Sequence, residues 1–298
     1  MTKATSTAIP QGKGRLKNKI KNVNPVVLAS QTAIMVIIIV LLALQFFPIL
    51  ITISKSFKSY EQEFLHPYAL TFPLNWANYA EAWDKVKDLF FNTFILAFAN
   101  VGFTLLLSSM GAFAFVRFRF PCKELIFTAI LSIMMIPGTL TLVAQFMLID
   151  TLNLLHTRWA VILPTVAGNS SFNIFLLRTF FSGVPGEVFE AAEIDGASKP
   201  RQFLHFMIPL SLPIIFTAGI MLFMQSWNDL IWPMMVLKEE DYTIATGLIP
   251  FTKEYTKKIG MYSVPMAGYV ITSIPLIILF FFTSKQFIGG LTSGAFKM

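Results

Sequence analysis

The stretch AIMVIIIVLLALQFFPILITI, residues 33–53, carries no charged side chain along its whole length. A helix crosses the hydrocarbon core of a bilayer in roughly 20 such residues, because each adds about 1.5 Å of rise. Five further runs are long and apolar enough to do the same, at about 89–115, 125–148, 158–181, 210–236 and 264–284. Inside lipid the backbone N–H and C=O groups find no water, so a spanning segment must satisfy them within a helix or a closed barrel. None of the runs alternates polar and apolar residues as a barrel strand does, so six helical spans are expected. Composition agrees, with 55% apolar and 13% charged residues, against about 25% charged in soluble domains. Basic residues precede the first run as they precede a signal peptide. Its length exceeds an h-region and the following TISKSF lacks a small-residue cleavage pattern, so it is read as an uncleaved span.

Lys and Arg set the orientation. The tail contains Lys3, Lys13, Arg15, Lys17, Lys19 and Lys21 and no acid, and the connection 116–124 contains Arg117, Arg119 and Lys123. Both are placed inside by the positive-inside rule. The expected organisation is a basic cytoplasmic tail (1–32), a first transmembrane helix (33–53), an extracytoplasmic loop (54–88), a transmembrane core (89–284) bearing a cytoplasmic helical pair at 187–209, and a cytoplasmic tail (285–298). The formal charge of +7 then belongs largely to inside segments, and no nucleic-acid partner is expected.

Catalytic signatures are missing. There is no G-x-x-x-x-G-K-[ST] phosphate loop, since QGKGR at 11–15 lacks the strand and helix such a loop needs. His66, His156 and His205 are scattered, and the single Cys122 excludes an internal disulfide or a cysteine-based zinc cluster. No metal and no cofactor of its own is expected.

Polar side chains inside spans are costly and tend to face partner helices or a cavity. Candidates for a solute path are Gln145, Asn169, Asn173, Gln225, Asn228 and Asp229; Asn100, Ser108, Ser109, Ser170 and Ser171 share the pattern. Interhelical hydrogen bonding is the simpler explanation of any one of them taken singly. Pro137-Gly138 and Pro164/Gly168 are expected breaks, tolerated where backbone meets protein or a water-filled cavity. An ion-coupled secondary transporter is the alternative, but such proteins bury several ionisable groups and often show duplicated halves, whereas only Asp229 approaches a span interior here.

Between the fourth and fifth spans lies EVFEAAEIDGASKPRQFLHFMIPLSLP, residues 187–213. Pro185-Gly186 makes a turn, and Glu187–Asp195 forms a short helix with acids in its first turn, where the helix dipole favours them. Gly196 suits a helix C-terminus, Ser198 an N-cap, and Pro200 a first turn, while Pro209 and Pro213 mark a break. Ala191 and Ala192 permit close approach of another backbone, with Glu190 and Glu193 as charge-pairing positions. A solvated amphipathic linker would show the same helix physics.

The order of residue types points further. Glu190, Ala191, Ala192, Asp195, Gly196, Ala197, Ser198 and Pro209 resemble the EAA signature of membrane subunits of binding-protein-dependent ABC importers, with Phe206 standing where Ile is usual and Ile208 replacing Leu. FFNTFILAF, GAFAFVRFRFP, MMIPG, WNDLIWPMMVL and the ending GLTSGAFKM follow in family order, and the ending resembles MalG-type permeases of the carbohydrate-uptake class.

The resemblance implies an all-α polytopic protein with the six-helix type I (MetI-like) importer fold, resident in a bacterial cytoplasmic (inner) membrane with both termini cytoplasmic. It implies a second homologous permease as heterodimer partner, a cytoplasmic ABC ATPase dimer holding ATP and Mg, an extracytoplasmic solute-binding protein and a sugar substrate. The EAA residues would dock in a groove of the ATPase, with Glu190 pairing to a basic residue there. The outside loop 237–263 would reach the solute-binding protein, with Gly247, Leu248, Pro250, Phe251 and Gly260 at or near its tip; an ordinary exposed loop reads the same way. The tail from Gly289 would extend towards the ATPase.

Overall fold

The structure, a computed structural model, describes residues 25–258 and 260–295. Lys3, Lys13, Arg15, Lys17, Lys19 and Lys21, which carry most of the inside assignment, lie outside the described residues. The chain divides into two units, 1–53 and 54–298. The described part of the first is helix α1 (Pro25–Ser56), which extends beyond the expected span at both ends and whose last turn belongs to the second unit.

The second unit is helical throughout its regular elements: α2 (Tyr60–Leu65), α3 (Ala77–Arg117), α4 (Lys123–Ile133), α5 (Gly138–Thr151), α6 (Trp159–Phe181), α7 (Gly186–Ile194), α8 (Lys199–Gln202), a π turn (Phe203–Met207), α9 (Ile208–Leu210), α10 (Leu212–Asn228), α11 (Ile231–Val236), α12 (Ile244–Lys258) and α13 (Ser263–Ala295). Four described helices can cross a bilayer by length and composition, or up to six if α4–α5 and the bent pair Lys199–Leu210 with Leu212–Asn228 each count as one span.

Helix α3, with 41 residues, is the mast against which α6, α10, α12 and α13 pack. Small and polar side chains make the close approach possible, as expected where lipid supplies no hydrophobic drive between helices. Ala97 and Ala112 are fully buried, and a Cβ on Gly111 would lie 3.3 Å from Ile174. Asn100 Nδ2 donates to Ser226 Oγ at 3.2 Å and Ser108 Oγ to the Ser170 carbonyl at 3.4 Å, so these polar residues join helices.

Prolines shape both broken spans. Helices α4 and α5 meet at 95° just before Gly138, as MMIPG suggests. The second break falls at Ser211, with a bend of 78°. Helix continues through Pro209, where the expected break was placed, because the preceding turn widens: the Ile208 N–H bonds to the Phe203 carbonyl. That π geometry relieves the clash a proline ring makes with the carbonyl four residues back. Pro213 sits in the first turn of α10, where a missing N–H costs nothing.

The expected break at Pro164/Gly168 is not formed, since α6 runs continuously through both residues. Three further segments differ from the sequence reading. The expected loop 54–88 contains α2 and the first turns of α3. The Glu63 carboxylate of α2 accepts hydrogen bonds from the backbone N–H groups of Tyr262 (3.1 Å) and Ser263 (3.0 Å), where the α13 dipole favours an anion. The backbone of the expected C-terminal tail stays helical to Ala295.

The third difference is the largest. The expected loop tip is helix α12, and Gly247, Leu248 and Phe251 are buried, leaving only Pro250 and Gly260 exposed. Ile244, Leu248, Phe251 and Tyr255 recur with helical period and form an apolar stripe that packs with Ala82, Val86 and Trp227. The α12 N-terminus is fixed to α3 by the Ile244 N–H donating to Thr93 Oγ1 at 2.8 Å.

A Cβ at Gly247 would meet Leu89 Cδ2 at 2.4 Å and its Cγ at 3.1 Å. Gly247→Ala therefore costs about 1–3 kcal/mol through overpacking, seen as a lower unfolding midpoint in detergent. Gly102→Ala, with nothing within 4 Å of the new Cβ, does not lower the midpoint and raises it slightly by restricting the unfolded backbone.

Candidate functional site

The segment after α6 is built as a small helical pair welded to the end of the bundle. Phe189 and Ala192, three residues apart and so on one face of α7, are both buried, and Phe189 joins a cluster with Ala112, Phe113, Leu177, Phe181 and Met207. Burying a side chain of the size of Phe189 contributes about 1.5–3 kcal/mol. The opposite face presents Glu190, Ala191, Ile194 and Asp195 to solvent. Ile194 is 88% exposed, a large apolar side chain with nothing over it, beside two carboxylates.

Gly196 ends α7 for a specific reason. Its φ of +77° lies in the left-handed region, where a side chain would be strained. The Ala197 N–H then reaches the Ala192 carbonyl at 2.8 Å and the Gly196 N–H the Glu193 carbonyl at 3.0 Å, the paired bonds of a Schellman motif. Asp195 is the C-cap, its N–H bonded to the Ala191 carbonyl at 3.0 Å. Ser198 has the extended backbone of an N-cap, but its side chain makes no capping bond. The buried Gln202 takes over the fixing of this turn by donating from Nε2 to the Ala197 carbonyl at 3.0 Å. Glu193 is paired with Lys199 at 2.9 Å, whereas Glu190 forms no hydrogen bond or ion pair among the described residues. Pro209 is exposed and Ala197 half-buried.

A second feature lies within the membrane-length helices. A cavity of about 720 Å³ opens where both broken spans meet α6. Gln145, Asn169, Gln225 and Asp229, four of the six residues singled out for a solute path, line it together. Its wall also includes Thr141, Thr165, Phe172 and Trp232, whose side chains gave no separate signal in the sequence. Gln145 Nε2 donates to Thr141 Oγ1 at 2.8 Å, and the Trp232 indole is held by donating to the Ala160 carbonyl at 2.9 Å. Asp229 is the residue that follows α10, two positions before the start of α11. Asn173 and Asn228 do not line the cavity. Each donates to the carbonyl four residues back on its own helix, Asn169 (2.8 Å) and Met224 (2.7 Å).

Residues 104–288, from mid-α3 to α13, match the family model described as binding-protein-dependent transport system inner membrane component. The chain belongs to this family. It is 30% identical over 271 residues to the probable ABC transporter permease protein YurM of Bacillus subtilis (strain 168), covering 90% of this chain and 89% of that one. It is 30% identical to the diacetylchitobiose uptake system permease protein NgcG of Streptomyces coelicolor, with 84% and 83% covered. The arabinooligosaccharides transport system permease protein AraQ of Halalkalibacterium halodurans is 34% identical, with 70% and 73% covered. In fold, the chain superposes on a bacterial ABC transporter involved in import of the acidic polysaccharide alginate with a TM-score of 0.73, at 20% identity over 94% of this chain and 99% of that one.

The chain is thus a multi-pass inner membrane component of a binding-protein-dependent transport system, and both the helical pair and the cavity fall inside the matched region. Sequence reasoning did not find Phe189, Gln202 or the part played by Arg117 described below. The available signal for Phe189 was its spacing of three residues from Ala192.

Gly196→Ala forces a Cβ into the left-handed region at a cost of about 1–2 kcal/mol. The expected outcome is faster hydrogen exchange of the α7 amides by about ten-fold, measured by mass spectrometry, with α3 amides unchanged.

Proposed function

We propose that this permease is one half of the membrane pathway of an ATP-driven importer of sugars or oligosaccharides. Its partners are a second homologous permease, a cytoplasmic ABC ATPase dimer that holds the ATP and Mg, and an extracytoplasmic solute-binding protein. The observation that carries the cargo class is the convergence of Gln145, Asn169, Gln225 and Asp229 with the rings of Phe172 and Trp232 on one cavity. Amide groups both donate and accept, as a hydroxyl-rich neutral solute requires, and aromatic faces receive the apolar faces of sugar rings. Relatives named for diacetylchitobiose uptake and arabinooligosaccharide transport support the same class.

The proposed coupling element is the α7–α8 pair, lying in the cytoplasm with both termini. Glu190 offers an exposed carboxylate, Ala191 a close approach, and Ile194 an apolar contact, which suits a groove on a partner protein. ATP does work there only if the ATPase binds one state of the assembly better than another. The exposed Pro250 and Gly260 remain available at the opposite end, while the buried Gly247, Leu248 and Phe251 serve packing.

The test is uptake of radiolabelled maltotriose, arabinotriose, galactobiose and chitobiose by a strain lacking this gene, with and without the gene restored. At least one sugar is taken up in an ATP-dependent manner only by the restored strain. Glu190→Lys inserts in the membrane at normal level but lowers that uptake at least ten-fold. Sugar uptake independent of ATP, or normal uptake by Glu190→Lys with the ATPase still captured, would refute the respective parts of this reading.

A further inference from the structure

Two arginines at the α7 end of the bundle do more than carry charge. Arg178 of α6 donates from Nη2 to both carboxylate oxygens of Glu124 of α4 (2.8 and 3.0 Å), and its guanidinium lies 3.7 Å from the centroid of the Phe127 ring. Arg117, the last residue of α3, has a comparable stacking geometry directed at the coupling pair: its guanidinium lies 3.8 Å from the centroid of the Phe189 ring. Its Nη2 also donates to the Gly186 carbonyl at 3.4 Å, a bond longer than the usual N–H···O and correspondingly weak.

Phe189 is 1% exposed, so the ring that Arg117 covers is the anchor of α7. Gly186 is the first residue of that helix. Arg117 therefore touches the start of α7 through a carbonyl and its buried face through an aromatic ring, from the last residue of the mast helix. It also interacts electrostatically with Glu190 and Glu193 on the neighbouring turns. A planar, weakly hydrated guanidinium can do all of this at once, whereas an ammonium keeps the charge but loses the stacking plane and the fork of donors.

We propose that Arg117 is the positioning residue of the coupling segment: stacked on Phe189 and bonded to Gly186, it fixes α7 to the end of α3, so that a push on α7 reaches the spans. This rests on the coupling role assigned to α7 above. The simpler role of a positive charge that holds its segment inside makes a different prediction, since any cation serves it.

Full-length tagged permease is co-expressed with its sister permease and ATPase, purified, and assayed for retained ATPase subunit and for ATP hydrolysis. Arg117→Lys and Phe189→Leu are compared with Arg119→Lys, a change of the exposed neighbouring arginine. Membrane level and gel-filtration profile report folding. The expected result is normal insertion for all three. For Arg117→Lys and Phe189→Leu the maximal hydrolysis rate falls about ten-fold with KM for ATP unchanged, because the defect lies in transmission and not in nucleotide binding. The double variant is no worse than the poorer single one, because both remove the same contact, and Arg119→Lys behaves as the parent. Unchanged hydrolysis in Arg117→Lys, or losses that add in the double variant, would overturn the assignment. Failure of the parent permease to capture an ATPase would instead overturn the coupling reading itself.

Discussion

In a bilayer each backbone N–H and C=O must be satisfied by the chain itself, and the rest of this structure follows from that constraint. It makes the spans helical, and it allows helix to break only where protein or a cavity receives the freed groups. Its breaks obey that rule in two ways. The α4–α5 corner, the α10–α11 junction and α6 contribute to the wall of one cavity, where polar side chains collect, whereas the break at Ser211 lies outside that wall and is buried in protein, its N–H bonded to the Met207 carbonyl. The same constraint explains the polar seam on α3. Asn100 and Ser108 bond across to α10 and α6, holding helices together where apolar surface is no longer a driving force.

The six runs, the Pro137-Gly138 break and the α7 cap glycine were legible in the sequence because each rests on a local rule: length without charge, a ring without N–H, a backbone angle only glycine adopts easily. Helix α12 was not. IATGLIPFTKEYTKK contains Gly, Pro and several charges, which read as loop, yet tertiary packing of the Ile244, Leu248, Phe251 and Tyr255 stripe overrides those punctuators. Pro250 is exposed within the helix, and Gly247 is where Leu89 of α3 comes closest. The candidate path residues divided along a similar line. Type alone could select Asn169 and Asn173 together, but four residues on one helix do not guarantee a shared cavity once one amide has turned to bond its own backbone.

Asp229 shows how one residue can mislead when charge is read without its partner. A lone acid near the interior of a span suggests an ion-coupled carrier. Here the carboxylate sits at the break between α10 and α11, beside a helix start whose partial positive charge favours an anion. It can line a polar cavity as an acceptor without any cation to move. No second ionisable side chain shares the cavity wall among the described residues, and family membership in a binding-protein-dependent system leaves the ion-coupled alternative without support.

The arginines carry the converse lesson. Counted as charges, Arg117 and Arg178 are topological markers at the ends of spans. Their surroundings show a second property in use, the flat face of the guanidinium: one covers Phe189, the other Phe127. A flat cation can pack against a buried ring and still direct its N–H groups at a carbonyl or carboxylate, so it joins an apolar cluster to a polar turn in a single contact. At the boundary where a long membrane-family helix stops and the helical pair begins, that combination is what mechanical continuity demands. The apolar cluster of Ala112, Leu177, Phe181, Phe189 and Met207 resists separation, the arginine resists sliding, and α3 and α7 are thereby held as one body across a change of solvent.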